Sequence, residues 1–294
     1  VVNAGPQAAK LLTEFVRMTG FPCTSTLMGL GAYPMTDKQH LGMLGMHGTY
    51  EANWAMHDCD VMINIGARFD DRVTGRLDEF SPNSKKIHID IDPSSINKII
   101  RADIGIVADA TEALRAMIAV WKKKKCKTNT DALTSWWKEI EAWRDVKCLK
   151  YKQSGHIIKP QYALECLQAA ITKDGRETFI TTEVGQHQMW AALHYRVEEP
   201  RRFVTSGGLG TMGFGFPSAI GAALACPGQH VCCIAGDGSF MMNIQELDTC
   251  ARYNIPVKVF ILNNSCLGMV RQWQQLFYEH RYSNTIYNRN PDFV

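Results

Sequence analysis

The sequence has no long hydrophobic run and no marked excess of one charge. No stretch approaches the ~18 consecutive apolar residues that a membrane-spanning helix needs, and 32 Lys and Arg nearly balance 29 Asp and Glu. The resulting net charge of +3 is too small to indicate a nucleic-acid partner. The one basic run, at residues 122–125, is typical of a solvated helix end or linker. These features argue against a membrane-spanning protein and against a nucleic-acid-binding protein.

The cysteines lack the spacing of a zinc or dithiol site. There are ten of them, scattered along the chain with no CxxC pair, and Cys232 and Cys233 lie inside an apolar strand pattern. This distribution is typical of buried, reduced thiols. The chain also lacks internal repeats, and its 46% hydrophobic and 21% charged residues are ordinary for a globular protein.

The length and the two ends indicate the organisation of the chain. At 294 residues it is long enough for two ordinary α/β domains. It begins with Val1 in a segment that reads as mid-domain, and its last residues, NPDFV, read as the start of a helix. We therefore expect this sequence to be a piece of a longer polypeptide.

Helix and strand patterns alternate in two blocks, which predicts α/β architecture with two doubly wound parallel-sheet domains. The alternation runs to about residue 120, breaks at KKKKCKTNT, and resumes near residue 159. We predict a first domain over residues 1–127, a helical connector over 128–155 and a second domain over 156–294. The connector's tryptophans, Trp136, Trp137 and Trp143, are interpreted as packing anchors.

The clearest functional pattern is GDGSFMMNIQELDTCARYNIPVKVFILNN at residues 236–264. An apolar strand precedes it, a helical pattern follows the GDGS turn, and VKVFIL reads as a second buried strand. In a strand–helix–strand unit both strands end at the same edge of a parallel sheet, where α/β proteins bind ligands. Asp237 and Asn264 can therefore stand side by side, and such oxygen ligands suit Mg²⁺ bound to phosphates. The glycines and the following helix N-terminus add backbone N–H groups for a phosphate.

A second glycine pattern offers an alternative interpretation. GLGTMG at 208–213 fits GxGxxG and by itself proposes a dinucleotide-binding fold. That fold requires an acid about 20 residues further on, and the next acid, Asp237, already belongs to GDGS. The first domain has a better claim to a nucleotide, because LMGLGAYP, LGMLGMHG, GARFDDR and HIDID all fall at predicted strand ends.

Taken together, these motifs resemble one enzyme family. GDGS with NN at this spacing resembles the thiamin-diphosphate motif. The surrounding TTEVGQHQMWAAL, TSGGLGTMGFGFPSAIGAAL, LGMVRQWQ and FYEHRYS resemble the catalytic large subunit of the acetolactate (acetohydroxyacid) synthase family. LGMLGMHGTYEANWAMHDCDVMINIGARFDDR resembles that family's central FAD domain. The resemblance covers nearly the whole chain and is strongest for the bacterial type.

The resemblance implies three cofactors and their contact residues. Mg²⁺ would be bound by the side chains of Asp237 and Asn264 and by the backbone carbonyl of Cys266. Thiamin diphosphate would contact Gly185, Gln186, His187, Gly210, Met212, Gly236, Gly238, Ser239 and Met269. FAD, structural in this family, would contact Gly45, Met46, His47, Gly66, Arg68, Asp70, Arg72, Asp90 and Asp109.

The resemblance also implies a substrate pocket and catalytic residues. Met212 would bend the thiamin diphosphate so that its aminopyrimidine reaches the thiazolium carbon. Met269, Val270 and Trp273 would form the pocket that selects the second 2-oxoacid, with Met212, Met269 and Trp273 as the catalytic residues of this chain. Met269 and Trp273 are one helical turn apart, so both can face one cavity. Without the resemblance, core packing would be the simpler interpretation of this pair.

The implied activity joins two 2-oxoacids with loss of CO₂, the first common step of branched-chain amino-acid biosynthesis. Pyruvate is decarboxylated, and its hydroxyethyl unit condenses with pyruvate or 2-oxobutyrate. The family's activating glutamate lies in a pyrimidine-binding domain that no part of this chain resembles, so we expect the chain alone to be inactive. The resemblance further implies a homodimer or higher homo-oligomer, a small regulatory subunit, and a cytoplasmic location in bacteria or an organellar one in eukaryotes.

Two rival hypotheses remain open. Another thiamin-diphosphate 2-oxoacid decarboxylase or oxidase would share GDGS and NN, although LGMVRQWQ with GLGTMG argues against it. A non-catalytic cofactor-binding homologue would keep the fold and lose activity, although the intact Asp237 and Asn264 argue against decay.

Overall fold

Every paired strand of the protein runs parallel to its neighbour, which confirms the predicted α/β class with parallel sheets. The computed structural model describes residues 1–294. The chain divides into two compact units. The first comprises Val1–Lys150 with Arg196–Arg201, and the second comprises Tyr151–Tyr195 with Arg202–Val294.

The first unit contains two small sheets. Strands β1 (Cys23–Ser25) and β2 (His40–Met43) form one pair, and β3 (Val61–Ile65), β4 (Lys85–Asp90) and β5 (Ile104–Val107) form a sheet in that order. Its helices are α1 (Pro6–Thr19), α2 (Tyr50–Asp58), α3 (Asp71–Thr74), α4 (Ala110–Lys123) and α5 (Thr130–Arg144), with 3-10 turns at Leu27–Gly29, Leu77–Glu79 and Pro93–Ser95. The sequence pattern predicts one doubly wound sheet here, whereas the short β1–β2 pair is separate from β3–β4–β5.

Local signals explain where the first unit's helices begin and end. Pro6 stands at the first position of α1, and Gly20 ends the helix in the left-handed region with φ 75°. Asp109 begins α4 by accepting a hydrogen bond from the backbone N–H of Thr111 at 2.8 Å. The apolar faces of α1 and α4 then bury Leu12, Phe15, Val16, Leu114 and Ile118 together.

The predicted connector helix belongs to the first unit. Ile140 of α5 is fully buried with Leu41, Ala52 and Ala55 of that unit. The predicted anchors Trp136, Trp137 and Trp143 pack against the same cluster, which confirms that they serve packing. Residues 130–144 therefore add a helix to the first unit because their aromatic face has a core to cover.

The second unit is built on one four-stranded parallel sheet of order β7–β6–β8–β9. Its strands are β6 (Thr178–Thr182), β7 (Phe203–Thr205), β8 (His230–Gly236) and β9 (Lys258–Leu262). Its helices are α6 (Pro160–Asp174), α7 (Gln186–His194), α8 (Gly215–Ala225), α9 (Asp237–Phe240), α10 (Glu246–Tyr253) and α11 (Gly268–Phe277), with a 3-10 turn at Met241–Asn243. The longest helices of the chain have 15 residues, and none combines the length and apolar character needed to cross a bilayer.

Strand β8 is the centre of the second unit, and all its residues are buried. Val231, Cys233 and Ala235 pack with Phe216 and Ile220 of α8. Alternate strand residues point to opposite faces, so Cys232 and Ile234 are buried on the other face. A strand covered on both faces reads as a continuous apolar run, which is why VCCIA was recognisable.

The GDGS segment differs in detail from the predicted turn. Residues Asp237–Phe240 form a short helix, a 3-10 turn follows, and α10 runs only from Glu246 to Tyr253. Asn254 ends α10 in the left-handed region with φ 50°, as a helix-stop residue. The chain then returns to β9 beside β8, as the strand–helix–strand pattern predicts.

Candidate cofactor and metal site

The three predicted metal ligands lie around one cavity of the second unit. Gly236 at the end of β8 pairs with Leu262 at the end of β9, so Asp237 and the Asn263–Asn264 pair leave the sheet at the same edge. Asp237, Asn264 and Cys266 all line a small cavity of about 60 Å³. Asp237 is 1% exposed, so a buried carboxylate faces this space.

The oxygen chemistry of this group suits a hard cation. The Asn264 side-chain oxygen accepts a hydrogen bond from the Cys266 backbone N–H at 3.1 Å, which leaves it a second lone pair. Burial raises the pKa of the Cys266 thiol, so the sulfur stays protonated and the backbone carbonyl is the better ligand. The chain has no cluster of three His, Cys, Asp or Glu side chains placed to hold a metal. A carboxylate, an amide and a carbonyl are ligands that Mg²⁺ accepts when phosphates complete its coordination.

The glycines of the GDG segment allow close approach of neighbouring groups to the backbone. A Cβ at Gly236 would lie 2.7 Å from Nδ1 of His187, and a Cβ at Gly238 would overlap the Tyr287 hydroxyl. At Gly268, the first residue of α11, a Cβ would overlap the Gln186 side chain. All three glycines line the cavity, so a ligand there would meet backbone that carries no side chain.

His187 is a buried imidazole on the wall of the same cavity. It is 6% exposed, it lines the cavity, and its Nε2 has no hydrogen-bond partner in the chain. Burial lowers the pKa of His187 to about 4, so the imidazole is neutral at pH 7. A buried polar atom without a partner costs about 1–3 kcal/mol, which a hydrogen-bonding ligand would recover. The oxygen ligands, the glycines and this imidazole together fit a magnesium diphosphate.

The remaining predicted diphosphate contacts connect the loops of the site. The Ser239 hydroxyl donates to the Val184 carbonyl at 2.6 Å, which joins the GDGS segment to the loop before α7. The Gln186 amide donates to Oε1 of Gln272 at 2.7 Å, which joins α7 to α11. Gly185 precedes α7 and lines the cavity with Gln186 and Ser239.

The GLGTMG loop reaches the cavity through Met212, while Gly210 does not line it.

The same GLGTMG loop is held in place by Glu183, a residue that sequence reasoning did not assign to the site. The Glu183 carboxylate is fully buried and accepts hydrogen bonds from the backbone N–H groups of Gly213 (2.6 Å) and Phe216 (2.9 Å). It thereby satisfies N–H groups at the N-terminus of α8, and burial raises its pKa. No local pattern signals this contact, because its partners lie 30 and 33 positions away.

The predicted substrate residues of α11 separate into two groups. Met269 and Val270 line the small cavity. Trp273 does not line it; its side chain is 47% exposed and its ring lies 5.0 Å from that of Phe277.

Beside the cavity is a cleft of about 730 Å³, lined by residues that include Trp190, Arg271 and Gln272, which sequence reasoning did not identify. The two spaces share Gln186, Trp190, Asn264, Cys266 and Gly268.

In the first unit, several predicted flavin contacts lie at the carboxyl edge of the three-stranded sheet. Ile65 pairs with Ile89, so Gly66 and Asp90 leave neighbouring strands together. Asp90 pairs with Val107, which brings Asp109 to the same edge. The Asp109 carboxylate is used as the cap of α4, and hydrogen bonds from Thr111 lower its pKa.

The other predicted flavin residues lie on the loop before α2 and on the segment that leads into α3, and these two parts are in contact. The Met46 N–H donates to the Arg72 carbonyl at 2.8 Å, and a Cβ on Gly45 would lie 2.6 Å from that carbonyl oxygen. Both ring nitrogens of His47 are buried without a partner, and burial lowers its pKa. The exposed Arg68 guanidinium is paired with Asp70 at 2.9 Å. The unpartnered imidazole and the close backbone approach are compatible with a ligand at this loop.

Comparison with known proteins identifies similar sequences along nearly the whole chain. Residues 2–117 match the family described as "Thiamine pyrophosphate enzyme, central domain", and residues 183–294 match "Thiamine pyrophosphate enzyme, C-terminal TPP binding domain". The chain is 51% identical over 288 residues to the acetolactate synthase large subunit of Haemophilus influenzae, covering 98% of this chain and 50% of that protein. It is 50% identical over 283 residues to the isozyme 3 large subunit of Escherichia coli, covering 96% of this chain and 49% of that protein. The acetolactate synthase of Mycobacterium bovis is 46% identical over 293 residues, covering 98% of this chain and 47% of that protein. The chain spans about half the length of the curated relatives it matches.

Glu183→Ala tests the buried cap of the GLGTMG loop. We expect the free energy of unfolding to fall by roughly 2–6 kcal/mol, because each of the two orphaned buried N–H groups costs about 1–3 kcal/mol. Burial raises the folded pKa of Glu183 above its ordinary value of 4.5. The stability that Glu183 contributes is therefore fully present below pH 4.5 and is lost as the pH rises through the folded pKa, and the variant should lack this decline. Chemical denaturation at several pH values measures both effects. Glu279→Ala, at an exposed carboxylate, is the control and should change stability by less than about 0.5 kcal/mol.

The neutral state of His187 can be tested by following its ring protons by NMR. We expect the resonance to titrate with a midpoint near pH 4, and His187→Gln to assign the signal by removing it. Because the folded pKa is lowered from 6.5 to about 4, the stability that His187 contributes is present above pH 6.5 and is lost as the pH falls toward 4. A midpoint near 6.5 would contradict the burial of this imidazole.

Proposed function

The chain belongs to the thiamine pyrophosphate enzyme family, and we propose that it is part of the catalytic subunit of an acetolactate synthase. The observation that carries this proposal is the meeting of Asp237, Asn264 and Cys266 at one cavity, in a sequence about half identical to acetolactate synthase large subunits. The reaction proposed is decarboxylation of pyruvate and condensation of its hydroxyethyl unit with a second 2-oxoacid. The product would enter branched-chain amino-acid biosynthesis.

The proposed metal is Mg²⁺ and the proposed coenzyme is thiamin diphosphate. Asp237 and Asn264 would bind the metal through side-chain oxygens and Cys266 through its carbonyl, with the diphosphate as a further ligand. Gly185, Gln186, His187, Gly236, Gly238 and Ser239 would surround the diphosphate. When bound, thiamin diphosphate supplies the electron sink for loss of CO₂ from a 2-oxoacid.

The protein's own contribution is binding, shape and exclusion of water. The neutral His187 can form a hydrogen bond to the diphosphate through Nε2 without adding charge. Met212 and Met269, both on the cavity wall, would pack against the coenzyme, as polarizable side chains suited to irregular space. Gly210 would allow the Met212 loop its left-handed turn, with φ 72°.

The proposed acceptor pocket is Met269, Val270 and Trp273 on α11. Met269 and Val270 already border the cavity, so an acceptor would meet them beside the coenzyme. Trp273 would have to turn from Phe277 toward this space to contact an acceptor. Pyruvate and 2-oxobutyrate differ by one methylene, a difference that an apolar pocket discriminates by about 1–3 kcal/mol.

FAD is proposed as a structural ligand of the first unit. Its contacts would be Gly45, Met46, His47, Gly66, Arg68, Asp70, Arg72, Asp90 and Asp109. The two buried, unpartnered nitrogens of His47 support this proposal, as does the capacity of arginine to bind a pyrophosphate bidentately. Asp109 is the weakest member, because its carboxylate already caps α4.

The proposed assembly follows the description of the relatives as large subunits. We propose a homodimer or higher homo-oligomer that binds a small regulatory subunit, located in the cytoplasm of a bacterium or in an organelle of a eukaryote. Another thiamin-diphosphate decarboxylase or oxidase remains the nearest rival, and analysis of the products from pyruvate separates the two.

Asp237→Asn tests the proposed metal site. We expect wild type to show Mg²⁺-dependent quenching of tryptophan fluorescence by thiamin diphosphate, since Trp190 lines both spaces. The variant should bind at least about 100-fold more weakly, because losing a partner of a ligand alone costs ~10–100-fold. Asp248→Asn, at an exposed carboxylate on α10, is the matched control and should bind like wild type. Absence of quenching in wild type would instead favour a non-catalytic homologue.

We also expect the 294-residue chain by itself not to turn over. The activity that the resemblance implies requires an activating glutamate. Glu183 cannot serve in its place, because its buried carboxylate already accepts hydrogen bonds from backbone N–H groups. The measurement is acetolactate formation from pyruvate by the pure chain with thiamin diphosphate, Mg²⁺ and FAD. Product above the no-protein background would overturn this expectation.

A further inference from the structure

The segment 285–293 contacts the proposed metal ligand Asp237 through the side chain of Asn290. The Asn290 side-chain nitrogen donates to Oδ2 of Asp237 at 2.8 Å and to Oδ1 of Asn263 at 2.9 Å. The Ser265 hydroxyl oxygen lies 3.4 Å from the same nitrogen. One amide thereby joins the GDGS segment to the loop that follows β9.

The backbone around Asn290 is anchored on both sides. Before it, the Leu267 N–H donates to the Thr285 carbonyl at 2.8 Å, and the Tyr287 N–H donates to the Ser265 carbonyl at 2.9 Å. After it, the Phe293 ring packs on Phe240 with the ring centres 6.1 Å apart. Thr285 is 2% exposed. The amide of Asn290 is therefore held in place by its own segment as well as by its acceptors.

The geometry assigns a direction to the Asn290 amide. A carboxylate can only accept hydrogen bonds, so the nitrogen must face Asp237 and the oxygen must point away. By bonding Oδ2, Asn290 leaves Oδ1 of Asp237 as the oxygen available to a cation. The contact also supplies a donor to a carboxylate that is 1% exposed, which offsets part of its desolvation without adding a positive charge that would repel a metal.

We propose that Asn290 is a positioning residue for the divalent cation, holding the Asp237 carboxylate in the orientation that the metal requires. This inference rests on the proposed function, because it takes Asp237 as a metal ligand. Groups that orient ligands in this way typically change metal affinity by ~10–100-fold when removed. Asn290 touches neither substrate nor coenzyme in this proposal; it acts through Asp237.

Removing a positioning residue should affect the binding of Mg²⁺ and Ca²⁺ differently from removing a packing residue. Mg²⁺ demands near-ideal octahedral geometry, whereas Ca²⁺ tolerates irregular coordination. Loosening the Asp237 carboxylate should therefore weaken Mg²⁺ binding more than Ca²⁺ binding. A general loss of packing would weaken both ions by the same factor.

The experiment compares wild type, Asn290→Ala and the matched control Asn288→Ala by calorimetric titration of Mg²⁺ and of Ca²⁺ at a fixed thiamin diphosphate concentration. Asn288 is an exposed residue of the same segment. We expect the dissociation constant of Asn290→Ala for Mg²⁺ to rise by about 10–100-fold and that for Ca²⁺ to rise less, with Asn288→Ala unchanged. Should Asn290→Ala not fold, as judged by thermal unfolding, Asn290→Ser keeps one donor and should lie between wild type and that loss.

The outcomes separate this inference from the function on which it rests. Wild type that binds neither cation overturns the proposed metal site itself. Wild type that binds Mg²⁺, with Asn290→Ala binding it equally well, overturns only the assignment of Asn290. An equal loss for Mg²⁺ and Ca²⁺ also overturns that assignment, because it is the result expected for packing alone.

Discussion

The parallel pairing of β8 with β6 and β9 is the interaction on which the candidate site depends. The backbone hydrogen bonds of this buried strand set the register, with Thr182 opposite Ile234 and Gly236 opposite Leu262. Because parallel strands end at a common edge, this register brings Glu183, Asp237 and Asn263 out of the sheet together. A slip of one residue would reverse the faces of β8 and exchange its apolar contacts with α8 for contacts on the opposite side.

The site buries three polar side chains, Glu183, Asp237 and His187. The chain satisfies the hydrogen-bonding capacity of each to a different extent. Glu183 is satisfied by the N–H groups that begin α8, so a carboxylate without a cationic partner stabilises a loop. Asp237 receives a neutral amide and keeps an oxygen free. His187 has an unpartnered Nε2 and is neutral because of its burial. Groups that are satisfied by the chain fix its shape, and groups left incomplete are those suited to a ligand.

The glycines explain why this arrangement needs its particular sequence. At Gly236 and Gly238 a methyl group would displace His187 or Tyr287, so these two positions on either side of Asp237 must remain bare. At Gly215 a Cβ would come within 2.5 Å of the Glu183 nitrogen, so α8 can reach the end of β6 only through a glycine. Close packing therefore accounts for the glycines at positions 215, 236 and 238, whereas Gly210 supplies a left-handed turn with φ 72°.

The sequence by itself determined the α/β class, the main strands and helices of both units, and Asp237 with Asn264 at one sheet edge. These features are local: buried strands read as apolar runs, Pro6 and Gly20 mark helix ends, and strand ends carry the polar residues. Only the tertiary structure decided that α5 joins the first unit, that β1–β2 separates from β3–β4–β5, and that Trp273 turns away from the cavity. It alone identified Glu183 and Asn290, whose partners lie 30 and 53 positions away. No periodicity connects such residues, because their contact arises only when the packing of separate elements brings them together.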